Sequence, residues 1–163
     1  MDVRKDSERT AVQRKSDREV VVTRTFNAPA HIVFEAWTRP ELFKQWWVPK
    51  SMGMSLRSCE MDVRVGGRYR LEFEPDGVAF FGTYREVTPH SRLVWTNEEG
   101  ADDGSVTTVT FEEKDGKTLL VLHELYPSKE ALDAAGTGAA DALVETFEQL
   151  DELLVSLDAS VGR

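Results

Sequence analysis

The C-terminal stretch limits the fold more than any other part of the chain. Ala139, Leu143, Phe147, Leu150, Leu154 and Leu157 recur at steps of four or three, and Asp141, Glu145, Glu148 and Glu152 form the opposite stripe. Such a helix has one wide apolar face and must lay it on something large and apolar. The preceding sequence is written to supply that surface. "RYRLEFE" puts Tyr69, Leu71 and Phe73 on one side and charged residues on the other, the period of a half-buried strand. "EVVVTRTF" (19–26), "MSLRSCEMDV", "VAFFGTYREV", "RLVWTN", "VTTVTFEE" and "TLLVLHELY" also read as strands. Between them stand turn signals: the glycine pair of "VGGR", then "PDG", "TPHS", "EEGADDG" and "KDG". Gly82 inside a strand marks a bulge or a close backbone approach.

One segment breaks the strand pattern. Residues 28–48 read as two short helices meeting at Thr38. Pro29 suits a first helical turn, and Thr38 and Glu41 have capping-box spacing with Trp37 and Leu42 placed as a hydrophobic staple. Pro49 and Gly53 end the pair. Pro127 and Ser128 start the last helical segment, and "GTG" (136–138) bends or breaks it. The order is strand, two short helices, about six antiparallel strands and a long helix. Every apolar stripe is satisfied by a strongly curved meander with the long helix across its concave face. The expected class is α+β, with a curved antiparallel sheet of six to seven strands around the C-terminal helix.

Composition narrows the function classes. The 163 residues favour one domain, over 19–157, with a charged N-terminal arm at 1–18 and a short tail at 158–163. The arm carries six Lys/Arg and four acids, a net of +2; the whole chain is −9, so residues 19–163 carry −11. An acidic body repels nucleic acid and anionic membrane, which sets DNA or RNA binding aside. No apolar run approaches the ~18 residues of a membrane span, and the N-terminus lacks the apolar core of a secretory signal. A single cysteine, Cys59, excludes an internal disulfide and a cysteine-built zinc site and suits the cytoplasm.

Searches for chemistry return little. There is no phosphate-cradling glycine loop. His31, His90 and His123 fall on a helix start, a turn and a strand, a poor set for a metal. Ser91 beside His90 lacks the geometry of a nucleophile and base. "EEGADDG" lacks the oxygen spacing of a calcium loop. No cofactor is expected.

The words "RTFNAPAHIVFEAWTRPELFKQWW", "DVRVGGRYR", "FGTYREVTPHSRLVWT", "TVTFEE", "TLLVLHELYPSKEALD" and "GAADALVETFEQLDEL" span about 19–157 in a telling order. They resemble the helix-grip superfamily of START-like and birch-pollen-allergen-like domains. Within it, the chain resembles the small bacterial relatives of the heat-shock-protein-90 ATPase activator C-terminal domain. Relatives often carry a glycine–tryptophan pair where this chain has Ala142 and Leu143, and a proline at the place of Val65. The resemblance transfers no shared catalytic set. It implies binding of a hydrophobic or amphipathic small molecule (lipid, sterol, flavonoid or polyketide) between sheet and C-terminal helix. Alternatives are a chaperone-activator-like partner module and a cyclase- or hydrolase-type enzyme.

Both faces of "TLLVLHELY" are apolar, so periodicity leaves their direction open. The family register puts Leu119, Val121, His123 and Leu125 together, and that side is taken as inward. Glu86 is then expected on the inner face with Gly82 and Tyr84, as a candidate acid–base partner of His123. The expected ligand-binding set is Trp47, Tyr69, Phe73, Tyr84, Glu86, Trp95, Phe111, His123, Leu143 and Phe147. Gly82, Thr107, Ala139 and His123 are the small or polar residues expected to leave space. The resulting cavity is expected to hold several hundred Å³, as small-molecule sites do. Trp46 and Trp47 prolong different stripes of one short helix. Trp46 should seal it to the domain, and Trp47 should face the cavity mouth.

Overall fold

A computed structural model describes residues 10–53, 55–74, 77, 79–98, 104–135 and 138–161; the side chains of 52, 134, 135, 138–141 and 158–161 are outside the description. Residues 1–9 of the arm, the turn positions 75 and 76, most of "EEGADDG" (99–103), residues 136 and 137 of "GTG" and the Ala139 side chain therefore lie outside it.

The strands are β1 (Thr10–Arg14), β2 (Glu19–Phe26), β3 (Ser55–Met61), β4 (Arg68–Glu74), β5 (Ala79–Thr88), β6 (Arg92–Thr96), β7 (Val106–Lys114) and β8 (Lys117–Leu125). They form one sheet of eight strands in the order β1-β2-β8-β7-β6-β5-β4-β3, antiparallel throughout. The count exceeds the expected six to seven because Thr10–Arg14 pairs with β2. The sequence leaves those residues in a solvated arm. Main-chain pairing recruits them to the sheet edge, together with Thr10, which accepts a 2.8 Å hydrogen bond from the buried Arg24 guanidinium.

Helices α1 (Ala30–Thr38) and α2 (Pro40–Trp46) follow β2, and α3 (Lys129–Ala135) and α4 (Gly138–Val161) follow β8. Their junction differs from the capping box read in the sequence. Thr38 ends α1 and donates back to Phe34 O at 2.9 Å. Arg39 takes the N-cap position of α2 and pairs with Glu41 instead. Pro40, as the first residue of α2, needs no N–H partner there. The α1 N-terminus is satisfied from the sheet: the Ala30 N–H donates to Glu113 on β7. Ser128 caps α3 by accepting the Ala131 N–H at 3.1 Å.

Phe147, Leu150 and Leu154 of α4 are fully buried, with Leu143, Leu153 and Leu157 packed at their edges. Burial of each large apolar side chain contributes about 1.5–3 kcal/mol before entropy is counted. The inner face of the sheet that meets them carries Val20, Val22, Phe26, Leu120, Leu122, Val109, Phe111 and Leu93. A buried Arg24–Asp151 ion pair, N–O 3.4 Å, ties α4 to β2. The α4 stripe is used as its periodicity requires, and the helix-grip architecture is present.

Candidate functional site

The register of β8 decides the first site question against the sequence expectation. Val20, Val22, Arg24 and Phe26 of β2 point inward and pair with Glu124, Leu122, Leu120 and Thr118. His123 therefore points outward with Val121 and the exposed Leu119. Its Nε2 donates to Glu19 at 2.7 Å, and this bond, followed by one from Ser16, holds the Glu19 carboxyl below its usual range. The inner face is offset by one residue from the sequence expectation: His123 faces outward, and Glu124 is the polar side chain of β8 that faces inward beside Val20. With both faces apolar, only pairing to β2 and β7 sets the direction.

Glu86 is also on the outer side. Tyr84 pairs with Trp95, but Glu86 pairs with Val94, so the register shifts between them. An extra residue in β5 reverses the inside–outside alternation, and a bulge has that effect. Glu86 instead makes a 3.1 Å ion pair with Arg92. Glu86 and His123 thus have different partners on the outer face and form no acid–base pair.

Gly82 is a close approach, as its place in a strand suggests. A Cβ there would lie 1.8 Å from Thr96 O and 2.8 Å from the Tyr69 ring. The missing side chain lets Tyr69 lie over β5 opposite Gly82. The Tyr69 hydroxyl then sits 2.9 Å from both Thr96 O and Asn97 Oδ1.

The cleft lies between the two short helices and the β3–β6 half of the sheet. Trp37 of α1, Phe43 of α2 and the adjoining Trp47 form one wall; Met61, Tyr69, Leu71, Phe80, Tyr84, Trp95 and Asn97 form the other. It takes in about 420 Å³ including its open mouth, and its enclosed depth is far smaller. Trp37, Trp47 and Trp95 stand together in its walls and narrow it. Among described side chains, none from α4 lines the cleft.

Of the expected set, Trp47, Tyr69, Tyr84 and Trp95 meet in this cleft. Phe73 is buried beside it, 5.1 Å from Phe80. Phe111 packs with Phe34, and Phe147 with Phe26, in the solid core. Leu143 is half-buried on α4. Thr107 faces inward as expected, while His123 and Glu86 do not line the cleft. The sequence reading missed Trp37, Phe43, Met61, Leu71, Phe80 and Asn97 as lining. Asn97 was visible in principle, because it continues the Leu93, Trp95 alternation.

Asn97 begins a polar chain away from the cleft. Its Nδ2 donates to Ser105 Oγ at 2.9 Å and Thr107 Oγ1 at 3.0 Å. Thr107 in turn hydrogen-bonds Glu124. Two other polar atoms in the wall have no such support. The Trp37 indole nitrogen is buried without a hydrogen-bond partner among the described residues. The Tyr84 hydroxyl makes no hydrogen bond among the described residues, and burial pushes its pKa well up. An unmet buried donor costs about 1–3 kcal/mol.

The two adjacent tryptophans divide as expected in position. Trp46 is 1% exposed and donates its indole N–H to Ala36 O at 2.9 Å. Trp47 is half-buried, stacks on Phe43 at 4.8 Å and lines the cleft. Their segment is fastened to α4: Gln149 donates to Trp46 O and Val48 O and accepts the Lys50 N–H, while Glu145 accepts from the Ser51 N–H and hydroxyl.

Comparison with known proteins follows this geometry. Solved structures of similar shape include a protein from Nitrosomonas europaea, 26% identical, TM-score 0.78, matching 90% of this chain and 99% of its own. A protein from Chromobacterium violaceum is 26% identical, TM-score 0.71, over 83% and 96% of the two chains. One from Rhodobacter sphaeroides, at 24% identity and TM-score 0.79 over 91% and 99%, shares the fold. No curated protein matches by sequence. No described helix is long and apolar enough to cross a membrane. A family model described as "Activator of Hsp90 ATPase homolog 1-like protein" matches residues 27–155. With that match over most of the helix-grip domain, the chain belongs to the activator of Hsp90 ATPase homolog 1-like family.

Proposed function

We propose that the domain binds a hydrophobic or amphipathic small molecule in the cytoplasm, in the cleft between the short helices and the β3–β6 half of the sheet. The observation that carries this is the aromatic lining, seven aromatic side chains around one opening with Asn97 as the polar contact. Apolar walls with a few placed polar groups are the usual form of such sites. The deep space is small, so entry requires the half-buried Trp47 to swing outward. The site is moved from the expected place under α4 to the mouth beside α1 and α2. Trp47, Tyr69, Tyr84 and Trp95 remain as the contact set; Glu86 and His123 drop out of it.

Native mass spectrometry and melting shifts across lipids, sterols, flavonoids and polyketides test this. A retained ligand with a raised melting temperature, both weakened in Trp47→Ala, is the expected result. Silence across the panel would remove the proposal.

A second proposal is favoured by the nearly filled cleft and the family itself: a partner module that engages a chaperone through its surface. Fold does not choose between the two. Titration with a heat-shock-protein-90-type chaperone, read by light scattering and ATPase rate, separates them.

A further inference from the structure

We propose that the cleft selects a neutral ring compound bearing a carbonyl-type acceptor, and that the Trp37 indole N–H donates to that acceptor. This rests on the small-molecule proposal above and narrows its ligand class.

Trp37 is 1% exposed, stands in the cleft wall, and carries an indole nitrogen with no partner among the described residues. Its neighbour shows that the fold is able to satisfy an indole: Trp46, with its ring 4.7 Å away, donates to a backbone carbonyl. A buried donor left unmet in a cleft wall is a place where an incoming acceptor gains a bond without displacing an internal one.

The rest of the lining excludes an anionic ligand. None of the lining side chains (Trp, Phe, Met, Tyr, Leu and Asn) carries a positive charge. A buried carboxylate there would have no cation to compensate its desolvation. The polar chain behind Asn97 runs through Thr107 to Glu124 and brings no cation to the cleft wall. Fatty acids and other carboxylates are therefore poor ligands. Flat faces favour flat rings: Phe43 and Trp47 already stack with a 26° interplanar angle.

Three matched probes test this: xanthone, xanthene and xanthene-9-carboxylate. They share one ring skeleton and differ by a carbonyl, a methylene and an acid. The four tryptophans give four indole N–H signals in a nitrogen-15 correlation spectrum, with Trp37 assigned by Trp37→Phe or, if that variant unfolds, by through-space contacts in the wild type. Xanthone is expected to move the Trp37 signal downfield and to bind about tenfold tighter than xanthene, the effect of one neutral hydrogen bond. The carboxylate should bind weakest. Trp37→Phe should bring xanthone and xanthene together.

Equal binding of xanthone and xanthene, both weakened by Trp47→Ala, with the Trp37 signal unmoved, overturns the acceptor and leaves the small-molecule site standing; the N–H then faces a neighbouring ring. Tighter binding of the carboxylate overturns the charge selection. Failure of all three probes overturns this inference, and failure of the wider panel as well removes the site on which it rests.

Discussion

Trp46 and Trp47 are chain neighbours whose rings stand 5.4 Å apart at 82°, and the fold uses them differently. Trp46 is sealed and hydrogen-bonded to α1, whereas Trp47 lies against Phe43 at the cleft. Trp46→Ala should lower unfolding free energy by about 3–5 kcal/mol, the usual cost of emptying a large aromatic site. Trp47→Ala should cost less, about 1–2 kcal/mol, because part of its surface already meets water. Urea melts of the two variants check the ranking, and equal losses would contradict the division.

Gln149 is the clasp that fixes this segment to α4. Gln149→Leu removes three hydrogen bonds and leaves two buried carbonyls and the Lys50 N–H without their partner. The expected loss is about 2–4 kcal/mol. Faster amide exchange at Lys50, with exchange in the β7–β8 pair unchanged, would locate the effect. Unaltered exchange there would count against the clasp.

Cys59 is half-buried on the inner side of β3, with its sulfur 3.6 Å from that of Met61. Burial pushes its thiol up to about 11. Since the thiolate is the nucleophile, native protein should alkylate far more slowly than unfolded protein near neutral pH. Timed iodoacetamide labelling followed by mass measurement checks this, and rapid native labelling would refute it.

Acid should weaken the attachment of the short-helix segment. Bonds from the Ser51 hydroxyl and N–H hold the Glu145 carboxyl below its usual 4.5. A lowered folded pKa gives stability that is present above the unfolded value and lost as pH falls through the folded one. Melting temperature should therefore drop on acidification below about pH 4.5, and Glu145→Gln should flatten part of that drop. An identical pH profile for the variant would remove Glu145 from the account.

His123→Leu is expected to leave affinity for any cleft ligand unchanged, because His123 faces outward to Glu19. Calorimetric titration with a ligand found for the wild type checks this. A changed affinity would return His123 to the site.

The chain's own pattern determined the α4 stripe, the alternation of β4, the two short helices and the succession of strands. These are local periodicities, and each has only one compact solution. Tertiary structure decided the rest. Pairing between β2 and β8 chose the inner face of a strand whose two faces are equally apolar, placing Glu124 inside and His123 outside. An extra residue in β5 turned Glu86 outward after Tyr84. The cleft narrowed because Trp37, Trp47 and Trp95, each explicable alone as ordinary core, fall on one opening. Alternation tells which residues share a face. Which face is buried, and how much space remains there, depends on the partner strand's register and the summed volume of side chains distant in sequence.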